Sequence, residues 1–228
     1  QEVIARIGQI RGLVSVEPAK PARNAEIQQQ ALVRQWLSFT QQLASRHEKR
    51  VELCYQGLNL EGLQTELRDA LNSIVNQFIR NALVHGLESP ADRRQRGKAE
   101  VGHISVYVSD QGDGTLELSF RDDGRGLDIE SIRTAAIRSG RLSADAAKAL
   151  DARQLTMLIF ESGLSTRKTA DEDAGRGIGL DTVKDLIARM GGRIRIGSTN
   201  GEYCHFRVHL PLQHAVTRHS KSLTESAQ

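Results

Sequence analysis

The spacing of apolar residues changes at residue 51, and this change restricts the fold more than any other feature of the sequence. Upstream, apolar residues recur at the spacing of amphipathic helices. Downstream, "RVELCY" has the pattern of a strand, and two pairs of alternating segments follow. "HISVYVS" and "TLELSFRD" flank the turn "DQGDG", and "GRIRIGS" and "YCHFRVHLPL" flank "TNG". Each pair predicts a β-hairpin.

Helical segments are interleaved with these strands. The apolar spacing predicts helices over about 64–86, 129–139, 150–161 and 180–190, the last of them ending at a pair of glycines. Strands in hairpins with helices between them are typical of an α+β fold. We therefore predict a two-layer sandwich, with helices on one face of a mixed, mostly antiparallel sheet.

The chain before residue 51 predicts two helices. The first lies within residues 1–16, and the second runs from a plausible N-cap at Asn24 to about residue 50. Because two helices do not form a core alone, they must bury their apolar faces elsewhere. We favour a dimerisation bundle for residues 1–50, with docking on the main domain as the alternative. Residues 51–213 form the main domain, and residues 214–228 are expected to be a flexible tail or linker.

Composition excludes several classes of protein. The 228 residues, 39% of them hydrophobic, allow one sizeable domain. The net charge of +3 comes from a mixed surface with no long run of one sign, so we expect no nucleic-acid partner. Cys54 and Cys204 lie far apart, which argues against disulfides and zinc and favours the cytoplasm.

The length of the apolar runs and the start of the chain lead to two further expectations. No apolar run approaches the ~18 residues that a membrane-spanning helix needs, and no signal peptide opens the chain, so we expect no direct membrane segment. The first residue is Gln rather than Met. We therefore expect a piece of a longer protein.

A row of polar residues lies on the helix predicted over about 64–86. Gln77, Asn81 and His85 are spaced i, i+4 and i+8, which places them on one side of a helix. An apolar stripe lies beside them, so the row borders the core. On one helix, such a row is also compatible with a solvated edge.

Two glycine-containing segments complete a set of three polar motifs. "RDDGRG" ends a strand, and "GRGIGLDTV" enters a helix. Either one alone fits a turn or a connector. However, glycines spaced by two before a helix free backbone N–H groups to bind an anion. The pattern predicts a phosphate-binding loop, of neither the Walker nor the Rossmann type.

Together these motifs resemble a known superfamily. "FIRNALVHGLESPADRRQRGK", "RDDGRGLD", "GLST" and "GRGIGLDTVKDLIARMGGRI" resemble the N, G1, F-like and G2 boxes of the GHKL ATPases, which include gyrase, Hsp90, histidine kinases and MutL. They are most similar to the ATP-binding domain of CheA-type histidine kinases. The resemblance covers about residues 51–212 and implies the Bergerat ATP-binding fold.

The resemblance implies roles for individual residues. Asn81 would hold Mg²⁺, Asp122 would accept the adenine amino group, and Gly124 and Gly126 would let the backbone approach the base. The residues implied at the phosphates and the lid over them are Arg80, His85, Ser165, Thr166, Gly175, Arg176, Gly177 and Gly179. The implied cofactors are ATP and Mg²⁺.

The chain departs from the family pattern at positions that affect the reaction. Gln77 lies one turn before Asn81, where hydrolytic relatives carry Glu and CheA carries His. An amide does not accept a proton, so steady hydrolysis is disfavoured. Val84 replaces an Asp of CheA, and Ser131 replaces a frequent Lys or Arg. We still count Gln77 with Arg80 and His85 as the catalytic positions of a divergent member.

The expected activity is transfer of the ATP γ-phosphoryl group to a histidine. The acceptor would lie on a separate phosphotransfer domain, in cis or in trans, and a response regulator would follow. His47 lacks the context of a phosphoacceptor box. The chief alternative is a catalytically weakened regulatory module that signals through its lid or dimer state. A serine-directed kinase of the anti-sigma type is a weaker alternative, because its usual Glu is absent.

Overall fold

The computed structural model describes residues 30–160 and 179–212. In chain order, its helices are α1 (Ala31–Arg46), α2 (Thr65–Asn81), α3 (Pro90–Gln95), α4 (Ile129–Arg138), α5 (Ala144–Ala149), α6 (Ala152–Met157) and α7 (Leu180–Arg189). Its strands are β1 (Val51–Gly57), β2 (Gly102–Asp110), β3 (Thr115–Asp122), β4 (Arg193–Thr199) and β5 (Tyr203–Pro211). A π-helical turn, Ala82–Gly86, extends α2, and 3₁₀ turns occupy Leu60–Gly62 and Leu158–Phe160.

The strands form one mixed sheet in the order β1-β2-β3-β5-β4. β1 pairs with β2 in parallel, and the other neighbours are antiparallel. Both predicted hairpins are present as β2–β3 and β4–β5. The predicted α+β fold with a mostly antiparallel sheet is confirmed.

The core lies between the helices and one face of this sheet. Alternate residues of β2, β3 and β5 are buried, as a half-covered sheet requires. α2 contributes Leu71, Ile74 and Phe78, which are fully buried. The Phe78 ring stacks on Phe206 of β5, with ring centroids 4.3 Å apart. This contact fixes α2 across the centre of the sheet.

α1 packs on the main domain. Trp36 is fully buried, and its Nε1–H donates to Oδ1 of Asn72 on α2 at 3.0 Å. The apolar face that the sequence predicted for the second helix is therefore buried within the chain over residues 31–46. The predicted first helix and the Asn24 cap lie outside the described residues, and dimerisation through residues 1–50 stays a prediction.

Two short helices were not predicted. α3 and α5 each contain six residues, too few to show a helical period. Both begin at a serine cap: Ser89 Oγ accepts from the N–H of Asp92, and Ser143 Oγ accepts from that of Ala146. The predicted tail, 214–228, lies outside the described residues. In the part of the chain described here, no helix combines the length and apolar character needed to cross a membrane.

Candidate functional site

The polar row of α2 ends where the helix widens. Asn81 is the last α-helical residue, and the π-helical turn Ala82–Gly86 follows and closes with a bond from the Leu87 N–H to the Ala82 carbonyl. π-turns frequently mark functional sites, because they interrupt the regular ladder. Gln77 Nε2 donates to Asn81 Oδ1 at 3.3 Å. Asn81 Nδ2 is buried and has no hydrogen-bond partner among the described residues.

Asp122 lies at the end of β3 and is 3% exposed. The Gly124 N–H donates to Asp122 Oδ1 at 3.0 Å, and no other described residue donates to this carboxylate. Burial raises its pKa to about 6, although the Gly124 N–H opposes the rise. At pH 7 the group is therefore mostly ionised, and it has acceptor capacity that the protein leaves unused. It suits a ligand that carries an N–H donor.

Glycines allow the loop after β3 to pack against the end of α2. A Cβ at Gly124 would lie 2.5 Å from the carbonyl of Gly86, and a Cβ at Gly86 would lie 3.2 Å from Asp122 Oδ1. The Arg125 N–H donates to the same Gly86 carbonyl at 2.9 Å. The end of α2, which carries Asn81, and the buried Asp122 therefore meet at Gly86.

Gly126 brings the same loop against the β4–β5 turn. Its φ is +65°, and a Cβ would lie 2.2 Å from the Thr199 carbonyl. Only glycine tolerates both the backbone conformation and this contact. The prediction that Gly124 and Gly126 permit close backbone approach agrees with their surroundings; their role toward a ligand stays a prediction.

A largely buried network of ion pairs, formed by Lys98, Arg93 and Glu88, supports the loop that follows β3. Lys98 Nζ donates to the carbonyls of Asp123 and Gly124 at 3.0 and 2.8 Å and contacts Glu88 Oε1 at 3.0 Å. The Arg93 side chain, which is almost fully buried, contacts Asp123 Oδ2 at 2.8 Å and Glu88 Oε2 at 3.3 Å. These cations fix the two residues that directly follow Asp122.

The two neighbouring carboxylates behave differently. Burial acts to raise the pKa of Asp123, but the His103 N–H and the Arg93 guanidinium outweigh it and hold the pKa below its usual value. Asp123 is thus an internal partner of Arg93 and His103. Of the two, Asp122 is the carboxylate that can accept a hydrogen bond from a ligand.

The roles of Arg93, Lys98 and Glu88 were not predicted from the sequence. These residues lie inside a quoted motif, "GLESPADRRQRGK". The signal in the sequence was a Glu followed by a Pro and four cations, and this pattern does not single out Arg93 and Lys98. Their burial was not readable, because charged residues are usually solvated.

The remaining predicted residues are placed as follows. Arg80 lies over the Phe39 ring of α1, with Cζ 5.8 Å from the centroid, and His85 is exposed on the π-turn. Val84 is buried, and Ser131 Oγ donates to Asp128 at the start of α4. Gly179 precedes α7, and its carbonyl accepts the Val183 N–H at 3.2 Å. The other predicted lid and phosphate residues, Ser165, Thr166, Gly175, Arg176 and Gly177, lie outside the described residues.

The donor set limits how a metal could bind. Within residues 30–160 and 179–212, no group of three or more His, Cys, Asp and Glu side chains could form a metal site. Mg²⁺ keeps most of its waters and binds phosphates, so one neutral oxygen such as Asn81 Oδ1 suffices from the protein. One lone pair of that oxygen accepts from Gln77 and the other is left for a cation.

Comparison with known proteins gives the family. Residues 66–214 match the family described as "Histidine kinase-, DNA gyrase B-, and HSP90-like ATPase". The chain belongs to this ATPase family. The match begins at α2 and includes both hairpins and the loop after β3, so the site described above lies within the shared domain.

Relatives of this ATPase domain include chemotaxis and motility regulators. The chain is 36% identical over 174 residues to "Chemotaxis protein CheA" of Klebsiella aerogenes, covering 76% of this chain and 26% of that protein. It is 37% identical over 163 residues to "Gliding motility regulatory protein" of Myxococcus xanthus, covering 72% and 21%. The chain thus spans about a quarter of these relatives or less. The resemblance to CheA-type kinases is confirmed.

One solved structure that is similar to this chain is "Catalytic domain of histidine kinase ThkA". The sequence identity is 16% and the TM-score is 0.47, and the match covers 79% of this chain and 90% of that one.

Proposed function

We propose that this ATPase-family domain is the ATP-binding catalytic domain of a CheA-like histidine kinase. It binds Mg-ATP and transfers the γ-phosphoryl group to a histidine on a separate phosphotransfer domain of a two-component phosphorelay. The observation that carries the proposal is the buried Asp122 carboxylate, which receives one hydrogen bond and lies against Gly86, five residues beyond Asn81.

Asp122 explains selection of adenine. The ionised carboxylate accepts a hydrogen bond from the exocyclic amino group, and burial strengthens this bond by excluding water. Guanine carries a carbonyl oxygen at that position, which the carboxylate repels. Gly124 and Gly126 leave room for the base to approach the backbone. The site therefore favours ATP over GTP.

Asn81 links this base site to the phosphates. Its Oδ1 would hold Mg²⁺, which would neutralise phosphate charge there. Arg80, which precedes Asn81 on α2, and His85, on the π-helical turn after it, would supply donors to the phosphates. The glycine-rich segment that ends at Gly179 offers backbone N–H groups ahead of α7.

The transfer requires little proton chemistry from this chain. A neutral imidazole nitrogen of the acceptor carries a lone pair, which forms the new N–P bond while the bond to the bridging oxygen of ADP breaks. Gln77 cannot accept a proton from water, so its presence is compatible with transfer and disfavours hydrolysis. The phosphoryl group then passes to an aspartate of a response regulator. A homodimer formed through residues 1–50, in the cytoplasm, completes the proposal.

A weakened regulatory module is the second candidate. It is favoured by the bond from Gln77 Nε2 to Asn81 Oδ1, which occupies one lone pair of the proposed metal ligand. Val84, which replaces a CheA carboxylate, is buried and brings no charge to this turn. In this case the domain binds nucleotide and signals through its lid or dimer state without transferring phosphate.

Calorimetric titration of Mg-ATP tests the shared step. Wild type should bind ATP, and both Asn81→Ala and Asp122→Ala should abolish binding. Asp69→Asn, an exposed change on the same helix, is the matched control and should bind as wild type does. Absence of binding by the wild type would refute both candidates.

Transfer from γ-labelled ATP separates the two candidates. Label should appear on phosphotransfer domains of CheA relatives and resist base, as phosphohistidine does. ATP binding without any such label would favour the regulatory module.

A further inference from the structure

We propose that an acidic protein docks on the outer face of the sheet, opposite the helices. Four arginines define this surface, which we call the arginine face: Arg121 on β3, Arg193 and Arg195 on β4, and Arg207 on β5. All four are exposed, and they project from the outward positions of three adjacent strands. No lysine occupies an outward position on these strands.

The strand register places positive charges next to one another. Arg195 is directly opposite Arg207 in the β4–β5 ladder. Arg121 and Arg193 are opposite His205 and His209. Like charges directly opposite each other destabilise a sheet, so folding does not account for the Arg195–Arg207 pair. A negatively charged partner would remove this repulsion.

The described residues compensate the charge of the face only in part, since Arg193 helps to lower the pKa of Asp113 but makes no salt bridge with it. Glu117 is the carboxylate at an outward position of β3, and it contacts His209 Nε2 at 3.0 Å. Among residues 30–160 and 179–212, no carboxylate lies within ion-pair distance of the four arginines. Arg121 instead lies over the Tyr203 ring, with Cζ 4.3 Å from the centroid. The charge of the face is thus available to a partner.

The chemistry of the face fits carboxylates on a protein. Guanidinium groups bind carboxylates through two parallel hydrogen bonds, and Arg and Tyr are enriched at protein interfaces whereas Lys is depleted. One row across the sheet runs Arg195, Arg207, Ser119 and Tyr107. Tyr107 is 47% exposed. The row spans three strand spacings, roughly 14 Å, which is somewhat more than the width of one helix, about 10–12 Å.

Glu117 argues against a phosphate backbone as the partner. It lies between the arginines, opposite His209, so a protein with carboxylates only at the arginines fits the face better than a backbone with a phosphate at every step. Burial, Arg207 and Arg121 lower the pKa of the neighbouring His205, which disfavours a further positive charge on the face. The face therefore presents positive and negative groups at different positions, as protein interfaces do.

The arginine face is separate from the nucleotide site. Asp122 and the apolar residues of β3 point to the helix-covered side, whereas Arg121 points to the other. Binding of a partner to the arginine face is therefore independent of ATP binding. Asp122→Ala should leave it unchanged.

Fluorescence anisotropy with labelled poly-L-glutamate tests the proposal. Wild type should bind the probe at low ionic strength and more weakly as salt is added. The double variant Arg195→Gln/Arg207→Gln should lose at least about tenfold in affinity. The control Arg34→Gln/Arg153→Gln removes the same charge from exposed helical positions and should lose far less. Either single face substitution provides the same comparison if the double variant fails to fold.

Several results would overturn the proposal. Equal losses in the face and control variants would mean that only net charge matters. Tighter binding of oligo(dT), or of vesicles containing phosphatidylserine, than of poly-L-glutamate would assign the face to nucleic acid or to lipid. Displacement of poly-L-glutamate by excess Mg-ATP would place the probe at the phosphate site. Undetectable binding of poly-L-glutamate at low salt would also exclude an acidic partner.

Discussion

The Gln77 side chain donates from Nε2 to Asn81 Oδ1 at 3.3 Å, one helical turn along α2. Gln77 is 8% exposed, so this contact lies at the edge of the core. Hydrolytic relatives carry a proton acceptor at position 77. Here the Gln77 amide occupies this position and donates to Asn81, the proposed metal ligand. This contact orients Asn81 and leaves no base beside it.

Gln77→Glu should turn the domain toward ATP hydrolysis. A carboxylate one turn before Asn81 accepts a proton from an attacking water, so we expect the hydrolysis rate to rise by at least about tenfold. Phosphate release measures the rate, and Gln77→Ala is the control that removes the amide without adding a base. A rate equal to that of Gln77→Ala, with ATP still bound, would contradict the expectation.

Asp122→Asn should change how stability depends on pH. Burial raises the pKa of Asp122 from 3.8 to about 6, so the native state binds its proton more tightly than the unfolded chain. The resulting stability is fully present below pH 3.8 and is lost as pH rises through about 6, with a total of about 3 kcal/mol.

Urea unfolding of the wild type and Asp122→Asn from about pH 3 to pH 8 measures this difference. The unfolding free energy of the wild type should fall by about 3 kcal/mol relative to the variant across this range. The exposed change Asp69→Asn should follow the wild type. Parallel curves for the wild type and Asp122→Asn would mean that Asp122 is not desolvated in solution.

Lys98→Met should weaken ATP binding without touching the nucleotide. The change keeps the aliphatic stem but removes the ammonium that holds the Asp123 and Gly124 carbonyls and neutralises buried Glu88. We expect a loss of about 2 kcal/mol in unfolding free energy and about tenfold in ATP affinity.

Calorimetry of ATP binding and urea unfolding check these values for Lys98→Met. Lys148→Met, at an exposed position of α5, should alter neither quantity. An unchanged ATP affinity despite lowered stability would show that the network supports the fold alone.

Gly126→Ala should cost more stability than Gly140→Ala. Both glycines have positive φ, +65° and +72°, so both variants bear the same backbone strain, about 1 kcal/mol. Only the Cβ at position 126 meets backbone, at 2.2 Å from the Thr199 carbonyl, whereas nothing lies within 4 Å at position 140.

Thermal and urea unfolding should therefore rank wild type, Gly140→Ala and Gly126→Ala in order of falling stability, with a further loss of at least about 2 kcal/mol at position 126. ATP affinity should fall for Gly126→Ala alone. Equal stability of the two variants would mean that the loop after β3 moves away from β4 at little cost.

The sequence predicted elements whose signal is local. Alternation over "HISVYVS" and "TLELSFRD" identified a hairpin, and the helix that carries Asn81 was found from its apolar stripe. α3 and α5 were missed because six residues carry too short a period. The position of Asn81 beside the core was predicted, but its contact with Gln77 depends on rotamers that a spacing does not determine.

The sequence by itself determined the fold class, the order of the elements and the family, because hydrophobic period, turn residues and motif spacing are properties of short stretches of chain. Only the tertiary structure decided that Gly86 meets Asp122 and that Lys98 and Arg93 are buried behind the loop. The strand order β1-β2-β3-β5-β4 likewise set Arg195 beside Arg207. Burial and register arise from pairing between distant segments, and they decide which charges are desolvated, which are paired and which remain for a partner.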